Sequence, residues 1–79
     1  MSERIPLTDM EADELGTVAE ILGGRGVHNR LRALGIRTGV KLTKVSAVSA
    51  RGPVVIQAGG TQASFGFGVS YKIVMEVDR

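Results

Sequence analysis

The 79-residue chain contains no cysteine and no tryptophan, and its aromatic residues are two phenylalanines and one tyrosine. Without cysteine there are no disulfide staples, no thiolate metal ligands and no thiol nucleophile. The only histidine, His28, cannot complete a closed structural zinc site within one chain. Nowhere do about 18 apolar residues follow one another, so no transmembrane helix is expected. The opening MSERIPLTDM has no long apolar run. No signal peptide is therefore expected, and the cytosol is the expected location.

What is present is modest in size. A chain this short is expected to form one domain, residues 1–79, burying roughly 60% of the surface its unfolded state exposes. Its 43% apolar content must supply the stability by packing alone.

The net charge is +2, but it is unevenly spread. Up to Gly24 there are six acids (Glu3, Asp9, Glu11, Asp13, Glu14, Glu20) against one base, Arg4. From Arg25 to Arg51 there are seven bases (Arg25, Arg30, Arg32, Arg37, Lys41, Lys44, Arg51) and no acid. Such asymmetry fits an acidic partner, nucleic acid or protein. A bland account stands beside it: the two segments lie side by side in the fold and neutralise each other.

Along the chain, Thr8-Asp9-Met10-Glu11 fits a capping box that starts at most one helical turn. Thr17 to Leu22 reads as a first strand, with Val18 and Ile21 inward despite imperfect alternation. After the break at Gly23-Gly24-Arg25-Gly26, the i, i+4, i+7 spacing of Val27, Leu31 and Leu34 predicts a short helix with these three on its core face. Gly35 sits where a left-handed residue ends a helix, and Ile36 where its apolar contact belongs. His28, Asn29, Arg32 and Ala33 then look away from the core.

Val40 to Val48 reads as a longer strand whose phase slips at Val45, which predicts a bulge or bend. Val54 to Ala58, Gly59-Gly60 and Thr61 to Phe65 form the clearest hairpin signal. A short turn near Val69 to Lys72 leads into a closing strand, Ile73 to Val77. About five short strands and one short α-helix, with turns every 8–12 residues, predict a mainly β chain folded as a small barrel. The expected core is Val18, Ile21, Leu31, Leu34, Ile36, Val40, Leu42, Val55, Phe65, Ile73 and Val77.

The order of these pieces resembles the FeoA family. Its members carry Pro-Leu-Ser/Thr near the start, a Gly-x-x-x-x-Ile strand, a glycine-rich turn and Leu-x-x-Leu-Gly-Ile-x-x-Gly. A Gly-Pro-Val strand, a glycine-containing hairpin and an Ile-x-Val ending follow. Here they read Pro6-Leu7-Thr8, Gly16 through Ile21, Gly23-Gly24, Leu31 through Gly39, Gly52-Pro53-Val54, Gly60-Thr61 and Ile73 through Val77. The likeness spans nearly the whole chain, and Leu-x-x-Leu-Gly-Ile-x-x-Gly is its most specific part. Two departures stand out. Ala12-Asp13 replaces a common Pro-Gly, and Phe65-Gly66-Phe67-Gly68 is richer in glycine than usual.

The resemblance implies an SH3-like β-barrel that is a non-catalytic cytosolic accessory of bacterial ferrous iron uptake. Its implied partner is the cytosolic region of a FeoB-type, GTP-dependent membrane permease. Transition metals enter through that transport role, and neither a cofactor nor metal-ligating residues are assigned. Similar domains also form part of iron-dependent repressors, whose DNA-binding and dimerisation regions do not fit in 79 residues. With the partner class so implied, the exposed side of the short helix is the expected contact surface. Arg32 points outward there, Arg30 lies at the margin and Arg25 in the preceding loop.

Other chemistries are poorly served. Gly23-Gly24-Arg25-Gly26 lacks the Gly-Lys-Ser/Thr of a phosphate loop and the third glycine of a dinucleotide fingerprint. Asp9, Glu11, Asp13 and Glu14 match no calcium-loop spacing and read as a solvated acidic face. Ser46, Ser49, Ser64 and Ser70 have no evident base beside them, so no enzyme is expected. The rival reading is a small basic SH3-like barrel that binds RNA. Phe65, Phe67 and Tyr71 all fall outside the basic segment, which leaves it without interleaved stacking residues.

Overall fold

The computed structural model describes residues 1–47 and 52–79. Six antiparallel strands form one sheet in the order β1-β6-β2-β3-β4-β5. They are β1 (Ser2–Pro6), β2 (Leu15–Ile21), β3 (Lys41–Ala47), β4 (Val54–Ala58), β5 (Thr61–Phe65) and β6 (Ile73–Asp78). Helix α1 (Arg25–Ala33) joins β2 to β3, and a one-turn helix α2 (Phe67–Ser70) joins β5 to β6. A 3-10 turn, Leu7–Asp9, follows β1.

The sheet curls around a core drawn from nearly every element: Leu7, Met10, Val18, Ile21, Leu31, Ile36, Leu42, Val54, Ile56, Phe65, Ile73, Met75 and Val77. Its two edges, β1 and β5, do not pair with each other. They approach instead through their connections, for α2 packs beside the 3-10 turn. The buried Ser70 hydroxyl fastens α2 by donating to the Phe65 carbonyl oxygen at 3.2 Å.

The mainly β class therefore stands, with one strand more than the pattern suggested. β1 escaped notice because SERIP has no apolar alternation; its residues are exposed except for half-buried Ile5 and Pro6. The irregularity expected at Val45 is a bulge, and β2 carries another. The β2–β6 register shifts between Val18 and Glu20, so Val18 and Ile21 both face inward although they are three residues apart. The β3–β4 register shifts between Lys44 and Ser46, where Val45 was expected to break the phase. Val48 and Ser49 lie outside the described residues, as does Arg51.

Several side chains sit elsewhere than expected. Val55 is only half-buried while Val54 and Ile56 are buried. Three successive β-branched residues carry no phase of their own, and pairing Val54 with Phe65 sets it. Val40 is half-buried just ahead of β3. Leu34 is 36% exposed, because α1 ends at Ala33 and Leu34 becomes its cap. Thr8 caps nothing: it lies inside the 3-10 turn, and no side chain caps that turn's start. The turn expected at Val69 to Lys72 begins earlier, as α2 at Phe67.

Candidate basic interaction surface

Helix α1 starts at Arg25, so this arginine belongs to its first turn rather than to the preceding loop. Gly24 caps the start through its backbone, accepting from the His28 N–H at 3.2 Å. The far end is a Schellman closure. The Ile36 N–H donates to the Leu31 carbonyl (2.9 Å) and the Gly35 N–H to that of Arg32 (2.9 Å). Gly35 holds φ at 81°, where a Cβ would be strained. Leu31 and Ile36 are both buried, so the closure is also the helix's apolar anchor.

The chain then turns at Arg37–Val40, where the Val40 N–H donates to the Arg37 carbonyl at 3.1 Å. Gly39 supplies the φ of 91° that the third position of a type II turn needs. Anchor and turn together present the basic residues. At about 100° per residue, Arg25 and Arg32 fall on nearly the same side of α1. Arg30 lies about 140–160° around the helix from both. The three arginines are thus all exposed but do not converge.

Arg32 instead meets residues that the sequence reading left out. A depression of about 210 Å³ is lined by Ile21, His28, Arg32, Ile36, Arg37 and Thr38. Its floor is apolar, for Ile21 and Ile36 belong to the core. Its rim carries two exposed guanidinium groups and the half-buried imidazole of His28. The signal that could have found it is the Leu34-Gly35-Ile36 closure, which folds Arg37 back toward α1.

The acidic segment is arranged differently. Ala12 and Asp13 form a second turn, closed by the Glu14 N–H donating to the Glu11 carbonyl at 3.1 Å. Asp13 takes φ of 67° in it, the described non-glycine residue with a positive value. Lys44, only 5% exposed, reaches into this corner. Its ammonium donates to the Thr8 carbonyl at 3.0 Å and to the Met10 carbonyl at 2.6 Å. Burial pulls the Lys44 ammonium below its ordinary pKa, while Asp9 and Glu14 pull it back up. Glu14 accepts two bonds from the Arg79 guanidinium, at 3.0 and 2.8 Å. With the Glu11 N–H as a further donor, these bonds bring the Glu14 carboxyl down to about 2.

Among the described residues, the bland account of the charge asymmetry thus fits Lys44, on which Asp9 and Glu14 act. The described ion pairs join the N-terminus to Asp78, Arg4 to Glu76 and Arg79 to Glu14. Among the described residues, Arg25, Arg30, Arg32, Arg37 and Lys41 enter none of them. Nor do the described residues hold a group of three or more His, Asp or Glu side chains arranged to bind a metal. No described helix is long and apolar enough to cross a membrane.

Fold and surface together define a small SH3-like β domain that shows an unpaired basic face. The FeoA domain model matches residues 5–77, and the chain belongs to that family, which is linked to ferrous iron transport as an accessory. A crystal structure of the iron uptake regulatory protein FeoA shares 25% identity at a TM-score of 0.83, covering 95% of this chain and 99% of that one. FeoA from Stenotrophomonas maltophilia, complexed with zinc, shares 20% identity at 0.75 and covers 90% of this chain and 88% of that one. It is described as a prokaryotic SH3 domain protein with a suggested role as a ferrous iron transport activating factor. A manganese-dependent transcriptional repressor in complex with manganese shares the fold at 15% identity and 0.87, over 95% of this chain but 37% of its own. No curated protein sequence matches the chain.

Proposed function

We propose that the chain, as one domain over residues 1–79, is a non-catalytic cytosolic accessory of ferrous iron uptake. In this reading it acts by binding the cytosolic region of a FeoB-type membrane permease. Membership of the FeoA family supplies the class of partner. The observation that carries the reading is the set of exposed arginines on α1 that enter no ion pair among the described residues. Guanidinium groups engage carboxylates bidentately, so an acidic patch on the permease is the matching surface.

Charges at an interface rim mostly raise the association rate, and salt screens them. Affinity for the permease's cytosolic region should therefore fall as salt is added. An Arg25→Glu/Arg30→Glu/Arg32→Glu variant that retains its fold should lose that affinity by calorimetry. Unchanged affinity would move the interface elsewhere. Tight, salt-sensitive RNA binding by the native protein, with none to the permease, would replace this reading by the nucleic-acid one.

A further inference from the structure

The arginines of α1 differ in what lies beside them. Arg25 and Arg30 project from the helix, whereas Arg32 overhangs the depression floored by Ile21 and Ile36 and faced by Arg37, Thr38 and His28. We infer that this depression is a carboxylate-accepting subsite. It takes a glutamate or aspartate side chain of an acidic segment on a protein partner and seats an adjoining apolar side chain on its floor. The inference deepens the proposed function and rests on it for the kind of partner.

The chemistry of the lining selects this occupant. Two guanidinium groups bring N–H donors in fixed planar forks and no acceptor, and neither enters a described ion pair. The Thr38 hydroxyl and the His28 ring lie on the same rim. No acid occurs between Arg25 and Arg51 to compete for these donors. Glu20, the nearest acid in the chain, precedes the buried Ile21 in β2 and so faces the other side of the strand. The apolar floor excludes water from beneath the donors, which strengthens charge-assisted hydrogen bonds made there.

Size and preorganisation argue the same way. About 210 Å³ suits one side chain and part of a neighbour, and is smaller than the roughly 300–1,000 Å³ of typical small-molecule pockets. No phenylalanine, tyrosine or tryptophan lines it. The exposed rings, Phe67 and Tyr71, stack on each other across α2 with centroids 5.4 Å apart. A nucleic-acid base would find neither of these larger rings in the depression to stack on. Arg32 sits on the last turn of a helix closed by the Leu31–Ile36 contact, and Arg37 opens a hydrogen-bonded turn. Both backbones are held before any partner arrives, so less ordering opposes binding.

The test uses the full chain, two main probes and an oligonucleotide as a third. The first is a blocked five-residue peptide, Ala-Glu-Leu-Glu-Ala, beside its counterpart with both Glu replaced by Gln, titrated by NMR. The glutamate peptide should shift the amides of His28, Arg32 and Thr38, the glutamine peptide should not, and Arg32→Gln/Arg37→Gln should abolish the response. The second probe is the permease's cytosolic region, measured by calorimetry. Arg32→Gln/Arg37→Gln should weaken it at least tenfold, several times the loss from Arg25→Gln/Arg30→Gln. Equal losses from the two pairs, or identical responses to the two peptides, would overturn the subsite. Permease binding that survives Arg32→Gln/Arg37→Gln would overturn it while leaving the proposed function in place. A glutamate-specific response without any permease binding would retain the subsite and remove the permease as partner. An oligonucleotide that shifts those amides when the glutamate peptide does not would overturn the choice of a protein carboxylate.

Discussion

Two regions of this small protein are rich in charge, and they use it in opposite ways. In the corner built from the Leu7–Asp9 turn, the Glu11–Glu14 turn and Lys44, charges are consumed by the fold. The Lys44 ammonium satisfies two carbonyls of a tight connection, and Glu14 is held by Arg79 and a backbone N–H. Along α1 and the Arg37 turn, charges stand on the surface and enter none of the ion pairs among the described residues. Lys44 and Arg37 belong to the same unbroken basic stretch of sequence, so sequence position does not decide which charge is structural. The pleat of β3 decides it, by placing Lys44 on the same inward face as the buried Leu42 two residues before.

The comparison predicts that α1 is anchored by its apolar underside alone. Leu31→Ala, at a side chain with no exposure, should cost about 2–5 kcal/mol. Leu34→Ala, at the exposed cap, should cost less than about 1 kcal/mol. Urea denaturation of the two variants checks this, and equal losses would mean that the helix is seated differently.

In the corner, charge itself should carry stability. Lys44→Met keeps much of the side-chain volume but leaves the Thr8 and Met10 carbonyls without their donor. A buried polar group so orphaned costs about 1–3 kcal/mol, which for a domain of this size lowers Tm by on the order of 10 °C. Arg32→Gln should stay within about 0.5 kcal/mol of the native protein, as substitutions at exposed, unpartnered positions do. A comparable loss at both positions would erase the distinction between the two regions.

Much of this architecture was legible in the residues. The Leu31-x-x-Leu34-Gly35-Ile36 run announced both the helix and its left-handed cap, because spacing and glycine each carry a local physical meaning. The diglycine hairpin and the slip at Val45 were equally plain. The signals failed where long-range pairing sets the outcome: β1 takes its place through β6, and Val54 takes its face from pairing with Ala47 and Phe65. At the candidate site, Arg32 was readable as outward-facing, whereas Arg25 read as part of the preceding loop and in fact opens α1. The place of Arg37 was not readable, for its approach to Arg32 depends on how the chain folds back after Gly35. Nor did the pattern show Lys44 as buried, since an alternating strand does not distinguish a lysine that caps carbonyls from one that meets water.

A finer test of the corner concerns Asp13. It holds φ of 67° at the third position of the Glu11–Glu14 turn. Aspartate tolerates the left-handed region better than most residues but still pays a steric cost there. Asp13→Gly should therefore stabilise the protein by roughly 0.5–1 kcal/mol, less whatever the freer unfolded chain takes back. Thermal denaturation of the two proteins side by side reads the difference. A clear loss would mean that the aspartate side chain contributes more than its backbone strain costs.

The smallest expected effect separates paired from unpaired charge by pH. The Glu14 carboxyl, ordinarily near 4.5, is brought to about 2, chiefly by its hydrogen bonds with Arg79. Well above pH 4.5 the carboxylate is ionised in both folded and unfolded chains, so the stabilisation by Arg79 is fully present. Between 4.5 and about 2 the unfolded chain takes up a proton that the folded one refuses, and stability drains as pH falls. Below about 2 both states are protonated and the contribution is gone. The pair is partly open to solvent, with the Arg79 side chain 36% exposed and that of Glu14 17%, so screening tempers the effect. Glu14→Gln should accordingly lower Tm slightly at pH 6, and the gap to the native protein should close by pH 2. Added salt should narrow the gap at pH 6 as well, since exposed pairs weaken with ionic strength. A gap that persists unchanged at pH 2 would assign the loss to packing of the Glu14 side chain rather than to its charge.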